Sequence, residues 1–186
     1  TYPGLTTVET GTLVNNGTIA GDVTVDSGAT LAGGGTIGGN TTVNGTLAIG
    51  NSPESMDFGG NLTLAGTSIF ELGGSATAGT DYDFANVTGT LTFGGALNII
   101  SYNSYDLSLN AAYNLFDAGN FTGTFSSVTV GAINLAYDLG SDSWSAVSGP
   151  QTYTFDETNG VLTVVPEPAA ALLGSVGTLL LLRRRR

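Results

Sequence analysis

Any chemistry in this chain must be done by carboxylates, hydroxyls and amides. The 186 residues contain neither His nor Cys, which removes the usual general base, the commonest metal ligand, thiol nucleophiles and disulfides together. The only basic side chains are Arg183, Arg184, Arg185 and Arg186, and all but one of the 15 acidic residues precede Val164, giving a net charge of -11. The carboxylates best spaced for joint work are Asp81 and Asp83, alternating around Tyr82, and Asp138 with Asp142 near Trp144. A carboxylate pair can serve a glycosidase as acid and base. Enzymes that cleave uronates also need Arg or Lys to hold the substrate carboxylate, and none exists before Arg183. The plainer reading of these Asp residues is turn formation, in which Asp accepts local backbone hydrogen bonds. A loose calcium site at Asp81 and Asp83 lacks a complete ligand set. The sequence therefore predicts no catalytic residue, no metal and no cofactor. Phosphate backbones are bound by clustered Lys and Arg, so nucleic acid is excluded as a partner.

The elements that would carry such residues are set by a repeat. Gly17-Thr-Ile-Ala-Gly-Asp-Val-Thr-Val-Asp26 recurs as Gly35-Thr-Ile-Gly-Gly-Asn-Thr-Thr-Val-Asn44, and Gly60-Asn-Leu-Thr-Leu64 follows after a three-residue slip around Ser52 to Met56. Short alternating pieces separated by Gly, Asn and Asp are strands of a few residues each, and a fixed period of such strands means a solenoid. Val, Ile and Leu turn inward and stack on the next rung, Thr faces out, and Gly and Asn take the corners. Thr24, Thr42 and Thr63 occupy equivalent positions, so they predict an outward ladder at the inter-strand spacing of about 4.8 Å. Such a ladder suits binding to ice or a crystalline polysaccharide; β-branched Thr is also ordinary filler for a solvent-facing strand. The nonapeptide calcium roll is only shadowed at Gly33-Gly34-Gly35 and Gly38-Gly39-Asn40, where Asn stands in place of the charged Asp. Asn-x-Ser/Thr triplets begin at Asn16, Asn40, Asn44, Asn61, Asn86 and Asn120 and read as turn composition.

From Tyr102 the repeat fades and aromatics become dense. Strands are expected over Tyr113 to Asp117, Gly123 to Val130, Ile133 to Leu139, Thr152 to Phe155 and Val161 to Val164, with Asn159-Gly160 as a hairpin signal. These predict an antiparallel cap over the last rung, whose open edge would otherwise be adhesive. The fold expected is thus all-β: solenoid repeats over 1–101, a β cap over 102–163, and a single hydrophobic helix in the C-terminal segment 164–186.

That final segment holds Pro166, Glu167 and Pro168, then 14 uncharged residues, Ala169 to Leu182, then Arg183 to Arg186. Read as a membrane segment, the apolar run would enter a bilayer with the arginines retained on the cytoplasmic side. At about 1.5 Å per residue, 14 residues reach only about 21 Å of a roughly 30 Å core, so the span is marginal or temporary. The prolines keep an extended segment at the membrane face. An ordinary proline-capped anchor is the alternative. In the order of its parts, this tail resembles the PEP-CTERM sorting signal of Gram-negative bacteria. The stretch over about 10–130 resembles autotransporter-associated β-strand repeats, on Phe70-Glu71-Leu72-Gly73, Gly79-Thr80-Asp81-Tyr82-Asp83, Asn86-Val87-Thr88-Gly89-Thr90-Leu91 and Gly94-Gly95-Ala96-Leu97. The first resemblance implies recognition by an exosortase, a membrane transpeptidase, with processing near Pro166 to Pro168. It also implies an inner-membrane intermediate and delivery to the cell surface or extracellular matrix, where exopolysaccharide is a partner to expect. No charged and apolar leader is visible at Thr1, so export calls for one ahead of it. The expected function is that of a non-enzymatic structural or adhesive surface protein; the alternative is an ice- or carbohydrate-binding solenoid.

Overall fold

The computed structural model describes residues 3–50, 52–107 and 110–167, and every regular element among the described residues is a strand. Pieces such as Val23–Val25 and Thr41–Val43 become strands because β-branched side chains suit the pleat and the flanking Gly, Asn and Asp stop it. Three residues are too few to hold a strand alone. Each is held by parallel neighbours one winding earlier and one later, so the chain coils with strands on three sides.

On the first side Thr6–Val8, Val23–Val25, Thr41–Val43 and Leu62–Leu64 lie in parallel succession. They are continued by the later halves of two long strands, Phe84–Phe93 and Phe116–Gly123. The second side stacks Gly11–Val14, Ala29–Gly33, Thr46–Ile49, Thr67–Leu72, Ala96–Ser101 and Ser127–Val130. The third begins with Thr18–Ile19, Thr36–Ile37 and Ser55–Phe58 and takes in the early halves of the same two long strands. The result is the all-β, β-helix-like arrangement the repeat predicts, with parallel strands in curled sheets.

The repeat is also visible in the register. Val23 faces Thr41 across 18 positions, and Thr41 faces Leu62 across 21, which is the three-residue slip. Later windings lengthen, with Leu62 facing Leu91 and Leu91 facing Phe121. Among the described residues, the additional ones lie outside the stack at 73–83, 102–107 and 110–115, the last including the cap strand Ala111–Asn114, and the stack is not broken. Inward side chains grow as the coil widens, from Val25 and Val43 through Leu64 to Phe93. The wide end is filled by rings: Phe93 lies 4.5 Å from Phe125, Phe70 lies 4.6 Å from Phe116, and Phe155 from the cap touches both Phe116 and Phe125.

Two corner devices tie windings together. At the first-to-second corner Gly45, Gly66 and Gly95 stack so closely that a Cβ on Gly95 would overlap the Gly66 carbonyl. The carbonyls of Gly45 and Gly66 in turn accept from the N–H groups of Thr67 and Ala96 at 2.8 and 2.9 Å. At the third-to-first corner a side-chain ladder climbs the stack. Asp22 Oδ1 accepts from Asn40 N–H at 2.7 Å, Asn40 Oδ1 from Asn61 N–H at 3.0 Å, and Asn61 Oδ1 from Thr90 N–H at 2.8 Å.

The cap is an antiparallel sheet in the order Ala111–Asn114, Val161–Pro166, Gln151–Asp156, Ser143–Ser148, Ala136–Asp138. The hairpin marked by Asn159-Gly160 is present, joining Gln151–Asp156 to Val161–Pro166, with Gly160 at φ 72. Several expected strands fall differently. Tyr113 to Asp117 divides at Leu115, whose N–H donates to Gly160 in the cap and whose carbonyl accepts from Ala85 in the coil. The expected Gly123 to Val130 strand is instead the end of Phe116–Gly123 and the separate Ser127–Val130, both paired in parallel with the coil. The parallel stack therefore passes residue 101 and ends at Val130, and the aromatic density beyond Tyr102 marks a widening core. The strand Ser143–Ser148, which carries Trp144, was not expected. The last strand, Val161–Pro166, reaches into the segment assigned to the tail, and Glu167 N–H donates to the Pro150 carbonyl at 2.9 Å. The expected helix 169–182 lies outside the described residues; among those that are described, no helix is long and apolar enough to cross a membrane.

Candidate functional site

The threonines expected to form a ladder do so. Thr24 pairs with Thr42 and Thr42 with Thr63 on the outward positions of the first side. The column continues at both ends, to Thr7 below and to Thr92 and Thr122 above. Thr92 and Thr122 share a hydroxyl–hydroxyl hydrogen bond of 3.0 Å. The flanking residues of each short strand point inward and are buried, so the threonines stand as a single file. Thr92 and Thr122 escape a reading of the compact repeat because the windings that bring them into line are longer than 18 residues.

The Asp pair at 81 and 83 is not gathered in one cleft: Asp81 borders a groove of about 170 Å³ with Ser52, Pro53 and Tyr102, whereas Asp83 is buried away from it. Asp81 Oδ2 accepts from the N–H groups of Ala76 and Thr77 at 3.2 and 2.8 Å, closing the 73–83 loop. Asp83 is fully buried, with Oδ1 accepting from Glu54 N–H at 3.0 Å and Oδ2 from Glu71 N–H at 2.7 Å. Asp81 closes a turn as expected, whereas Asp83 departs from the turn reading and ties together two segments distant in sequence. Burial pushes the Asp83 carboxyl up to about 7; the two backbone hydrogen bonds pull it down, and the charges of Glu71 and Glu54 add to the rise. Burial raises Glu71 as well. Among the described residues no group of three or more acidic side chains is placed to hold a metal ion.

The second Asp pair separates. Asp138 is fully exposed and caps its own turn through Gly140 N–H at 3.0 Å and the Ser141 hydroxyl at 2.9 Å, and the Gly140 bond lowers its carboxyl below the usual range. Asp142, with a left-handed φ of 48, accepts instead from the Tyr137 hydroxyl at 3.1 Å. Its neighbour across the cap is Glu157, which the sequence did not single out. Glu157 is 4% exposed; its Oε1 accepts from Phe125 N–H at 2.8 Å and from the Trp144 indole at 2.9 Å. Burial raises the Glu157 carboxyl, opposed by the Phe125, Trp144 and Thr124 donors and reinforced by Asp142. Glu157 and Asp142 border a groove of about 540 Å³ between the last winding and the cap, walled by Ala118 to Gly123 and Thr158. The sequence signal that could have found it is a charged residue in the hairpin loop just before Asn159-Gly160, beside a strand whose Trp needs a partner for its N–H.

Of the expected processing signal, Pro166 is exposed at the end of the last strand and Glu167 is half-buried against Pro150. Pro168 and Arg183 to Arg186 lie outside the described residues.

The fold and these positions define an all-β protein of parallel, β-helix-like windings with an antiparallel end sheet. The chain matches no family model, no curated protein and no solved structure.

Proposed function

We propose that this chain is an exported, non-enzymatic structural or adhesive protein: a β-solenoid of the cell surface or exopolysaccharide matrix, sorted through its C-terminal signal. The observation that carries this reading is the order of the tail. Pro166 ends the last cap strand, and Glu167 and Pro168 come next in the sequence, ahead of an uncharged run ending in Arg183 to Arg186. An exosortase acting near Pro166 to Pro168 would part a closed β domain from its membrane segment without cutting through the coil. The non-enzymatic part rests on the carboxylates at 81, 83 and 138, which are engaged as acceptors of turn and backbone donors. The test is the mass and location of the mature protein in its native host, with and without Pro166→Ala and Pro168→Ala. Loss of the arginine-tipped segment and arrival at the surface in wild type alone supports sorting. Retention of Arg183 to Arg186 in the membrane by both forms reduces the tail to a plain anchor.

A second reading is favoured by one specific observation, the unbroken in-register file Thr7, Thr24, Thr42, Thr63, Thr92, Thr122. On it, the first side binds ice or a crystalline polysaccharide. Thermal hysteresis and pull-down on insoluble glycans test it. Lys at 24, 42 and 63 should abolish the effect while leaving the coil folded.

A further inference from the structure

A groove runs between the last winding and the cap. One wall is backbone and side chain of Ala118 to Gly123; the other is the cap, through Asp142, Glu157 and Thr158. Its volume of about 540 Å³ is in the range of small-ligand sites. At its border Glu157 is 4% exposed, its Oε1 taking the Phe125 N–H and the Trp144 indole, so the carboxylate that a ligand can reach is the exposed Asp142.

The chemistry of the walls restricts what that ligand can be. Asp142 and Glu157 repel anions, and no cationic side chain is present before Arg183 to hold a phosphate or a uronate. Asn120, Thr122 and Thr158 supply an amide and hydroxyls that both donate and accept. Phe121 offers an aromatic surface whose ring is steadied by stacking on Phe93 at 6.0 Å and 26°. Acceptors, mixed donors and one apolar plate suit a molecule with many hydroxyl donors and C–H faces and no charge. We propose that this groove binds neutral saccharide units, with Asp142 accepting sugar hydroxyls, Asn120 and Thr158 donating and accepting, and Phe121 packing against a ring face. The proposal deepens the surface-matrix reading by naming a partner's chemistry. It rests on that reading only for why a saccharide is at hand, and of the threonine file only the end member, Thr122, borders the groove.

The molecule carries its own reporter. Trp144 is the only tryptophan, and its indole N–H is bonded to Glu157, which borders the groove beside Asp142, so its emission reports on a ligand seated there. The full chain is titrated, in EDTA, with neutral hexasaccharides of β-glucan, xylan and mannan, and separately with CaCl₂ in chelator-free buffer. The expected result is a saturating change in Trp144 emission with at least one hexasaccharide. Asp142→Asn, which tolerates the same left-handed φ, and Asn120→Ala should each weaken it at least tenfold. Lys at 24, 42 and 63 should leave it unchanged. A response to CaCl₂ alone marks a cation site and overturns the proposal. No response to any hexasaccharide overturns it too, as does one that survives both groove variants. Each outcome is independent of where the protein is sorted, so failure here and failure of the export reading are distinguishable.

Discussion

Replacing Asp83 by Asn should change how stability depends on pH. Asp83 is fully buried between two windings, accepts from Glu54 and Glu71 N–H groups, and faces the charges of those same two residues. Its carboxyl is raised from 3.8 to about 7 in the folded protein, chiefly by burial. The folded state thus holds this proton to a higher pH than the unfolded chain does. Below about pH 4 both states are protonated and the penalty is absent; as pH rises toward 7 it grows, and above 7 it is complete. A displacement of about three units corresponds to about 4 kcal/mol of stability lost between those limits. In Asp83→Asn the amide keeps one acceptor for two donors, a loss of about 1 to 3 kcal/mol at every pH, but the titration disappears. Urea midpoints measured from pH 4 to 8.5 should therefore fall steeply in wild type and much less in the variant. The two curves should approach or cross near neutrality. An unchanged slope in the variant would refute the assignment and move the effect to Glu71 or Glu157, which burial also raises.

Four further outcomes follow from the packing. Thr41 sits inward in the column between Val23 and Leu62, with its hydroxyl buried and unpartnered; Thr41→Val should raise stability by about 1 kcal/mol in chemical denaturation. Gly95→Ala drives a Cβ into the Gly66 carbonyl and should cost about 3 kcal/mol or prevent folding. Gly17→Ala, with nothing within 4 Å of its Cβ, should instead be neutral or stabilising by about 0.4 to 1 kcal/mol, since it only restricts the unfolded chain. Asn61→Ala removes the acceptor for Thr90 N–H in the corner ladder. It should lower the thermal midpoint by an amount corresponding to about 1 kcal/mol, read by circular dichroism.

Much of the coil was legible because its information is local and repeated. Period-2 alternation fixes which of Val23, Thr24 and Val25 points inward, and a second copy 18 residues on fixes the register of Thr24 against Thr42. The slip around Ser52 to Met56 could be read the same way, placing Thr63 correctly. That reasoning stops where the windings lengthen. The longer windings put Thr92 and Thr122 out of the simple period, yet the parallel pairing returns them to the same file. Only long-range pairing, which no short window contains, shows that Ser127–Val130 belongs to the coil while Ala111–Asn114 belongs to the cap.

Composition alone determined which chemistries are closed to this chain, because a residue type that is absent cannot be supplied by folding. It also determined the β character, since the Thr, Val and Gly pattern leaves no apolar face at helical spacing. Tertiary structure decided which carboxylates meet. Asp138 and Asp142, four apart in sequence, diverge, whereas Asp142 and Glu157 come together because antiparallel pairing of Ser143–Ser148 with Gln151–Asp156 brings the ends of that hairpin side by side. A side chain's partner is set by strand register and burial, and both exist only once distant windings and the cap have closed on one another.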